Sequence, residues 1–353
     1  MILAELLPVA GLCGLAVSTF MIGSSISLPV IIISAMLAGV TGVGGMRGSF
    51  SAGQQALIAN NWKEEKARVQ KIGRIVTVAS IAAIIGGLLL VFQGIATSIL
   101  ESNTTELIAN TLSYRYLFIL SALLVLISLA CLFFVKEASR ERKKHVSIKH
   151  ESLSYTIKVM SSQILAGLGL GLALPILPAI VAESFSLSSA AASQYIGYVY
   201  GLGYILIALS STYVPRLIYK RKIDTLKVAS AARVFQGTLL ILLAFSILFL
   251  HSNVIAGLAA IGITYAAYSA LIGIGAPMRN AINMGGIHAN DYGTASAAMG
   301  ASIQLPQTSS GAAGFLSEAI SGFVSLPLAI GGGFIILSGI VYWKLLNGRR
   351  KKQ

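Results

Sequence analysis

Long apolar stretches alternate with short polar ones along the whole chain. The ten apolar stretches lie at about 2–22, 27–58, 75–97, 116–135, 157–181, 191–214, 228–250, 254–276, 295–316 and 326–345. A helix of about 20 apolar residues is long enough to cross the ~30 Å hydrocarbon core of a bilayer. The stretches are continuous, whereas the strands of a membrane β-barrel alternate between apolar and polar residues. The pattern therefore predicts an all-α, polytopic membrane protein with about ten transmembrane helices.

The longest polar run, KEASRERKKHVSIKH, occupies residues 136–150. It contains six Lys and Arg residues but only two Glu residues, and it separates four apolar stretches from the following six. So polar a run belongs in water, and basic residues next to membrane spans are retained on the cytoplasmic side. We therefore expect this run to be a cytoplasmic linker.

The remaining charges test that orientation. With the linker inside, 24 of the 26 Lys and Arg residues fall in inside loops or their flanks, and only Arg115 lies outside. This asymmetry predicts a multi-pass protein of the cell membrane with both termini in the cytoplasm. The net charge of +14 would also suit a nucleic-acid-binding protein. However, the basic residues lie in short loops between spans, so we expect the lipid bilayer to be the partner and no nucleic acid.

Composition also argues against catalytic and cofactor sites. The two cysteines, Cys13 and Cys131, lie inside apolar stretches, which suits neither a disulfide framework nor a thiolate metal site. Asp224 and Asp291 lie beside predicted cytoplasmic loops, and the sequence contains no H-E-x-x-H motif. We therefore expect no enzyme, no cofactor and no metal.

Several local patterns, taken in order, resemble those of the major facilitator superfamily. They are GVTGVGG at 39–45, AAIIGG at 82–87, ALPILP at 173–178 followed by ESFSLS at 183–188, PRLIYKRK at 215–222 and SGAAG at 310–314. The resemblance implies two six-helix bundles joined by a long cytoplasmic loop. It also implies a monomeric carrier that moves a small-molecule substrate by alternating access.

In this resemblance the ten spans correspond to helices three to twelve of the family. Residues 1–135 would then form an incomplete N-terminal bundle of four spans, 136–155 the linker, and 156–353 a complete six-helix bundle. The expectation is a truncated or mis-started transporter, or a ten-helix derivative.

Two further classes remain open besides a carrier or exporter of this superfamily. The first is a ten-helix drug/metabolite-type transporter, although the basic linker after the fourth span does not suit two five-helix repeats. The second is a truncated membrane protein that transports nothing. Proton-coupled and facilitative transport are both compatible with the sequence.

Candidate site residues are those whose polar groups are costly in hydrocarbon. Arg47 lies within the second span and is either a substrate-binding cation or an arginine that reaches the cytoplasmic boundary. Glu5, an acid within the first span, is the candidate coupling residue and a possible partner of Arg47. The neutral candidates for the substrate-binding site are Gln163, Gln194, Tyr195, Tyr198, Gln304 and Gln307. Hydrogen bonding between helices is the alternative role for each of them.

Glycine and proline predict where helices pack and bend. Gly86, Gly311 and Gly314 are interpreted as packing positions, because small residues let membrane helices approach closely. The glycines at 167, 169 and 171 are expected to soften a helix near Pro175 and Pro178. Pro306 is expected to bend the ninth span in the same way.

Overall fold

The computed structural model describes residues 10–17, 30–31, 33–34, 58–59, 61–62, 64–132, 149–318 and 323–350. Every regular element in these ranges is helical. The α-helices are α1 (Glu65–Glu101), α2 (Glu106–Leu132), α3 (His150–Ala173), α4 (Leu177–Ser184), α5 (Ser189–Lys220), α6 (Thr225–Leu250), α7 (Val254–Gly285), α8 (Tyr292–Gln304), α9 (Ser310–Glu318) and α10 (Leu326–Arg350). Two 3-10 segments, Ala289–Asp291 and Leu305–Ser309, precede and follow α8.

Seven helical stretches of the described chain are long and apolar enough to cross a membrane. They are Glu65–Glu101, Glu106–Ser128, His150–Ser184, Ser189–Lys220, Thr225–Leu250, Val254–Gly285 and Leu326–Asn347. The all-α, polytopic class is therefore confirmed, but the count of ten is not. Most of the first two predicted spans lies outside the described residues, and the predicted span 295–316 is divided between α8, a 3-10 segment and α9.

The helices extend further into polar sequence than predicted. The predicted spans 75–97 and 116–135 leave a long connection between them, but helix α1 continues to Glu101 and α2 begins at Glu106, so only residues 102–105 lie outside the helices. Basic residues between the predicted spans 27–58 and 75–97 lie on α1, and α7 continues past Ala276 to Gly285. Hydropathy marks only the stretch that is apolar enough for lipid, whereas Lys, Arg, Glu and Gln also favour the helix. The predicted spans are therefore shorter than the helices.

The contacts divide the chain into two compact units. The first consists of Met1–Thr41, Leu88–Val146 and Leu187–Gly197. The second consists of Gly42–Gly87, Ser147–Ser186 and Tyr198–Gln353. Each is described by itself below.

In the first unit, α1 and α2 are joined by a buried hydrogen-bond network. Gln93 Nε2 donates to Ser113 Oγ at 2.9 Å, and the Thr97 and Ser113 hydroxyls are 2.7 Å apart. These groups are almost wholly buried, so their mutual bonds offset part of the cost of placing polar atoms in an apolar bundle, although the Gln93 amide oxygen has no partner among the described residues.

In the second unit, α10 packs against α3 and α6 through glycines. A Cβ built on Gly331 would lie 2.5 Å from the Gly169 carbonyl oxygen of α3. A Cβ on Gly332 would lie 2.6 Å from the Gly237 carbonyl oxygen of α6. Because no side chains separate the backbones, van der Waals contact is gained over the whole crossing, which is how helices associate without a hydrophobic drive.

Two helices of the second unit are interrupted at prolines. Helix α3 ends at Ala173, three residues follow in a turn, and α4 continues with Pro178 at its start. Pro306 similarly begins the 3-10 segment between α8 and α9. Proline lacks the N–H that would continue the helical ladder. The bends predicted near Pro175 and Pro178 and at Pro306 therefore coincide with interruptions of the helices.

The described glycines differ from what was predicted for them. No other described residue lies within 4 Å of a Cβ built on Gly86, Gly311 or Gly314, so these three are not packing positions among the described residues. The glycines of α3, expected to soften the helix, instead make close backbone contacts with neighbouring elements.

Candidate functional site

One face of α3 meets the interrupted helix formed by α8, the 3-10 segment and α9. Positions 163, 167 and 171 recur every four residues, so they share a face of the helix. Ser302 Oγ at the end of α8 donates to Gln163 Oε1 at 2.9 Å. Further along, Ser309 Oγ donates to the Leu168 carbonyl oxygen at 3.1 Å. The two elements are thus held in register at both ends of this face.

The glycines on this face allow the 3-10 segment to lie directly on the α3 backbone. A Cβ built on Gly171 would lie 2.5 Å from both the Gln307 carbonyl oxygen and Ser309 Oγ. A Cβ on Gly167 would lie 3.1 Å from Pro306 Cβ. These distances leave no room for a side chain larger than hydrogen.

The Gln307 side chain is buried on this surface without a hydrogen-bond partner. Only 8% of the residue is exposed, and neither its amide nitrogen nor its amide oxygen bonds another described residue. An unsatisfied buried polar group costs about 1–3 kcal/mol, and such groups are rare enough to require an explanation. A carboxamide offers two donors and one acceptor oxygen. A polar ligand that satisfied them would recover that cost.

The other predicted site residues lie in different surroundings. Gln304 is half-buried at the end of α8, one turn before Gln307, and Gln163 is half-buried on α3. The structure therefore brings Gln163, Gln304 and Gln307 to adjoining elements.

Two more candidates, Gln194 and Tyr195, are half-buried on α5 in the first unit. Tyr198, also on α5, belongs to the second unit and is 59% exposed, whereas Tyr195 is half-buried. The predicted substrate-binding cation Arg47 and coupling acid Glu5 lie outside the described residues.

Sequence reasoning missed a buried cation, Arg233, which it had counted among the flanks of an inside loop. Arg233 lies on α6 and is 6% exposed. Its Nη1 donates to Ser162 Oγ at 2.8 Å and to Ser338 Oγ at 2.9 Å. Its guanidinium carbon lies 5.7 Å from the centre of the Tyr342 ring. The signal was available in the sequence, because Arg233 lies inside the predicted span 228–250 and not in the loop before it.

Arg279 was likewise counted among the inside loops and their flanks, and the structure places it on a helix. It lies within α7 and is 7% exposed. The Tyr342 hydroxyl donates to Asn283 Oδ1 at 2.8 Å and lies 3.5 Å from the Arg279 carbonyl oxygen. The apolar stretch ends at Ala276, while the helix itself continues for nine residues to Gly285.

Comparison with known proteins identifies the fold. The structure is similar to the E. coli fucose:proton symporter FucP, with a TM-score of 0.59, 17% identity, and coverage of 98% of this chain and 82% of that one. It is similar to a bacterial homologue of the iron transporter ferroportin in its outward-facing state (TM-score 0.56, 12% identity, 98% and 84% coverage). It is also similar to the human organic anion transporter TETRAN (TM-score 0.54, 14% identity, 96% and 77% coverage).

At these identities the similarity shows the fold alone. A comparison with curated protein sequences finds no match. The sequence model of the Major Facilitator Superfamily, however, matches residues 7–311, which is most of the chain. This match and the helical fold point to a membrane transporter and not to an enzyme. The resemblance seen in the sequence motifs is thereby confirmed: the chain belongs to the major facilitator superfamily.

Proposed function

We propose that this chain carries a small polar solute across the cell membrane, and that the solute binds where α3 meets the 3-10 segment Leu305–Ser309. The observation that carries the proposal is the buried Gln307 amide, which lacks a partner among the described residues. Transporters commonly bind substrates where membrane helices are discontinuous. Gln307 lies in such a discontinuity and packs against α3, close to where that helix is also interrupted.

The chemistry of the surface suits a hydrogen-bonding solute. Gln163 and Gln304 supply further carboxamides, and Ser302 and Ser309 supply hydroxyls. The amides can donate and accept hydrogen bonds, whereas Ser302 and Ser309 already donate to Gln163 and Leu168, so their hydroxyl oxygens are acceptors for a solute. Sugars and organic anions, the cargo classes named for two of the structurally similar transporters, are therefore the first solutes to test.

The transport cycle would use the interruptions of the two helices. A turn between α3 and α4, and the 3-10 segment between α8 and α9, can absorb backbone rotations that an unbroken helix resists. The proposal includes a monomer with both termini in the cytoplasm, and two bundles, 1–135 and 156–353, joined by the linker 136–155.

The test compares two glutamine variants with the parent protein in proteoliposomes. The vesicles are loaded with one unlabelled sugar or organic anion at a time, and uptake of the labelled solute by counterflow is measured. Gln307→Ala is expected to reduce transport at least about tenfold, the loss of roughly one charged or two neutral hydrogen bonds to the solute. Its folded yield and Tm should be unchanged or slightly raised. The combined Gln304→Ala and Gln307→Ala variant should lose more transport without losing expression.

Gln93→Ala is the matched control. Gln93 is a buried glutamine whose amide nitrogen is satisfied by Ser113 in the first unit. Its removal should lower Tm and yield while leaving transport per folded molecule near that of the parent. Parallel losses of transport and folded yield in Gln307→Ala would refute a substrate-binding role.

A further inference from the structure

A cavity of about 200 Å³ lies between α1 and α5 in the second unit. It is lined by Gln70, Arg74, Ser211, Thr212, Pro215 and Arg216. None of these residues belongs to the surface proposed to bind the transported solute. The cavity contains two cations and no acidic side chain in its lining, so it needs a separate explanation.

The cavity borders a close contact between the two helices. The Thr77 hydroxyl lies 2.7 Å from the Thr212 hydroxyl and 3.1 Å from that of Ser211. A Cβ built on Gly73 would lie 2.8 Å from the Ser211 carbonyl oxygen. Pro215 lacks the N–H that would otherwise bond this carbonyl in the helix. The two helices are therefore held close together beside the cavity by backbone packing and by these hydroxyl contacts.

The two arginines at the mouth of the cavity are available to a ligand. Arg74 and Arg216 are exposed, and neither makes a hydrogen bond or ion pair with another described residue. The Ser211 and Thr212 hydroxyls, in contrast, have no proton left for a ligand, since both donate to the Ala208 carbonyl oxygen. The ligand chemistry is therefore set by two guanidinium groups and the Gln70 amide. Guanidinium groups bind phosphate through paired, charge-assisted hydrogen bonds.

Exposed apolar side chains lead away from the cavity along both helices. On α1, Val78, Ile81 and Ile85 follow Arg74 at helical spacing and are 68%, 52% and 57% exposed. On α5, Tyr213 and Leu209 precede Arg216 and are 61% and 50% exposed. These side chains would lie in hydrocarbon when the helices span a bilayer. A ligand with an anionic head and apolar chains would match both parts of the surface.

We propose that this cavity binds the phosphate headgroup of an anionic phospholipid, with the acyl chains lying along the apolar faces of α1 and α5. Basic pockets between transmembrane helices on the cytoplasmic side are suited to such headgroups. The density of Lys and Arg around residues 66–74 and 216–222 places this end of the helices in the cytoplasmic leaflet by the positive-inside rule. A free phosphate ion would use the arginines but gain nothing from the apolar faces.

The test measures phosphatidylglycerol binding to the purified full chain by native mass spectrometry from mixed micelles. Phosphatidylcholine serves as the zwitterionic comparison. The Arg74→Gln and Arg216→Gln double variant should bind phosphatidylglycerol about thirtyfold more weakly, the factor expected from losing two basic contacts near an anionic membrane surface. Binding of phosphatidylcholine should not change.

Arg221→Gln is the matched control, because Arg221 is an exposed arginine at the same end of α5 that does not line the cavity. It should bind phosphatidylglycerol like the parent. Arg74→Lys and Arg216→Lys together should bind with intermediate affinity, since charge remains while the paired hydrogen bonds are lost. If the double glutamine variant does not fold, each single variant should bind about fivefold more weakly.

Two results would overturn the proposal. If the glutamine variants bind phosphatidylglycerol as tightly as the parent and Arg221→Gln do, Arg74 and Arg216 do not bind the headgroup and only place their charges in water at the membrane surface. If inorganic phosphate in large excess displaces phosphatidylglycerol from the parent protein, the site takes a free anion and not a lipid.

Discussion

At the residue scale, Arg233 shows how a cation is accommodated inside an apolar bundle. Its guanidinium group is bonded to the hydroxyls of Ser162 and Ser338, and each of these also donates to the other residue's carbonyl oxygen. The Tyr342 ring covers one side. The arrangement joins α3, α6 and α10 through one side chain. The stability of this arrangement depends on the two serine acceptors, because a buried charge is costly when its hydrogen bonds are removed.

We expect Ser162→Ala to lower the free energy of unfolding by about 1–3 kcal/mol, because it leaves the buried guanidinium with one acceptor fewer. In an Arg233→Met background the same substitution should cost less than about 1 kcal/mol, since no charge remains to be satisfied. Unfolding of all four proteins in detergent gives the coupling. Additive losses would mean that the hydroxyl and the guanidinium do not depend on one another.

The residues also show where sequence reasoning succeeded and where it failed. Gln163 and Gln307 were predicted because amides within apolar stretches need partners, and the structure places both on one contact surface. Arg233 was missed because every basic residue near the end of a span was counted as evidence for the orientation of the chain in the membrane. Its serine and tyrosine partners come from residues 71 to 109 positions away, and single-sequence patterns do not reveal such pairings.

At the element scale, the fit between α3 and the 3-10 segment depends on the absence of a side chain at Gly171. We expect Gly171→Ala to lower the free energy of unfolding by about 1–3 kcal/mol, because the new methyl group would overlap the Gln307 backbone. Transport should fall as well, since the overlap displaces Gln307. Unfolding in detergent and counterflow measure the two effects.

Gly86→Ala provides the comparison, because Gly86 lies within α1 with open space around it. There the methyl group meets nothing, and the higher helix propensity of alanine should stabilise the protein by up to about 1 kcal/mol. If both alanine variants behaved alike, the close contact at Gly171 would not be a constraint on the fold.

The prolines allowed the helix interruptions to be predicted, because their effect is local: each removes a hydrogen bond from its own helix. The role of the α3 glycines could not be predicted in the same way. Glycine at 167 and 171 is compatible with bending and with packing, and only the neighbour, here Pro306 and Gln307, distinguishes the two.

At the scale of the whole molecule, the distribution of basic residues predicts the orientation. In a variant with Cys13 and Cys131 replaced by serine, Lys143→Cys should react with a membrane-impermeant maleimide only after cells are permeabilised. Asn103→Cys, in the turn between α1 and α2, should react in intact cells. Labelling is read from the mass shift of the purified protein. Reaction of the Lys143→Cys variant in intact cells would reverse the predicted topology.

The class and family were predictable because they depend on features repeated along the chain. Apolar length gives membrane spans, and the order of several motifs gave the superfamily, which the family match confirms. The helix ends required the three-dimensional structure, since several helices continue into polar sequence beyond their apolar stretches.

The bare backbone surface at Gly167 and Gly171 has a mechanical consequence. Interlocked side chains resist sliding, because each must leave its groove before the helices can move past one another. A glycine surface has no such ridges, so the 3-10 segment can shift along α3 once its serine hydrogen bonds open. The absence of side chains that brings Gln307 close to α3 therefore also allows the 3-10 segment to slide along α3 with few steric barriers.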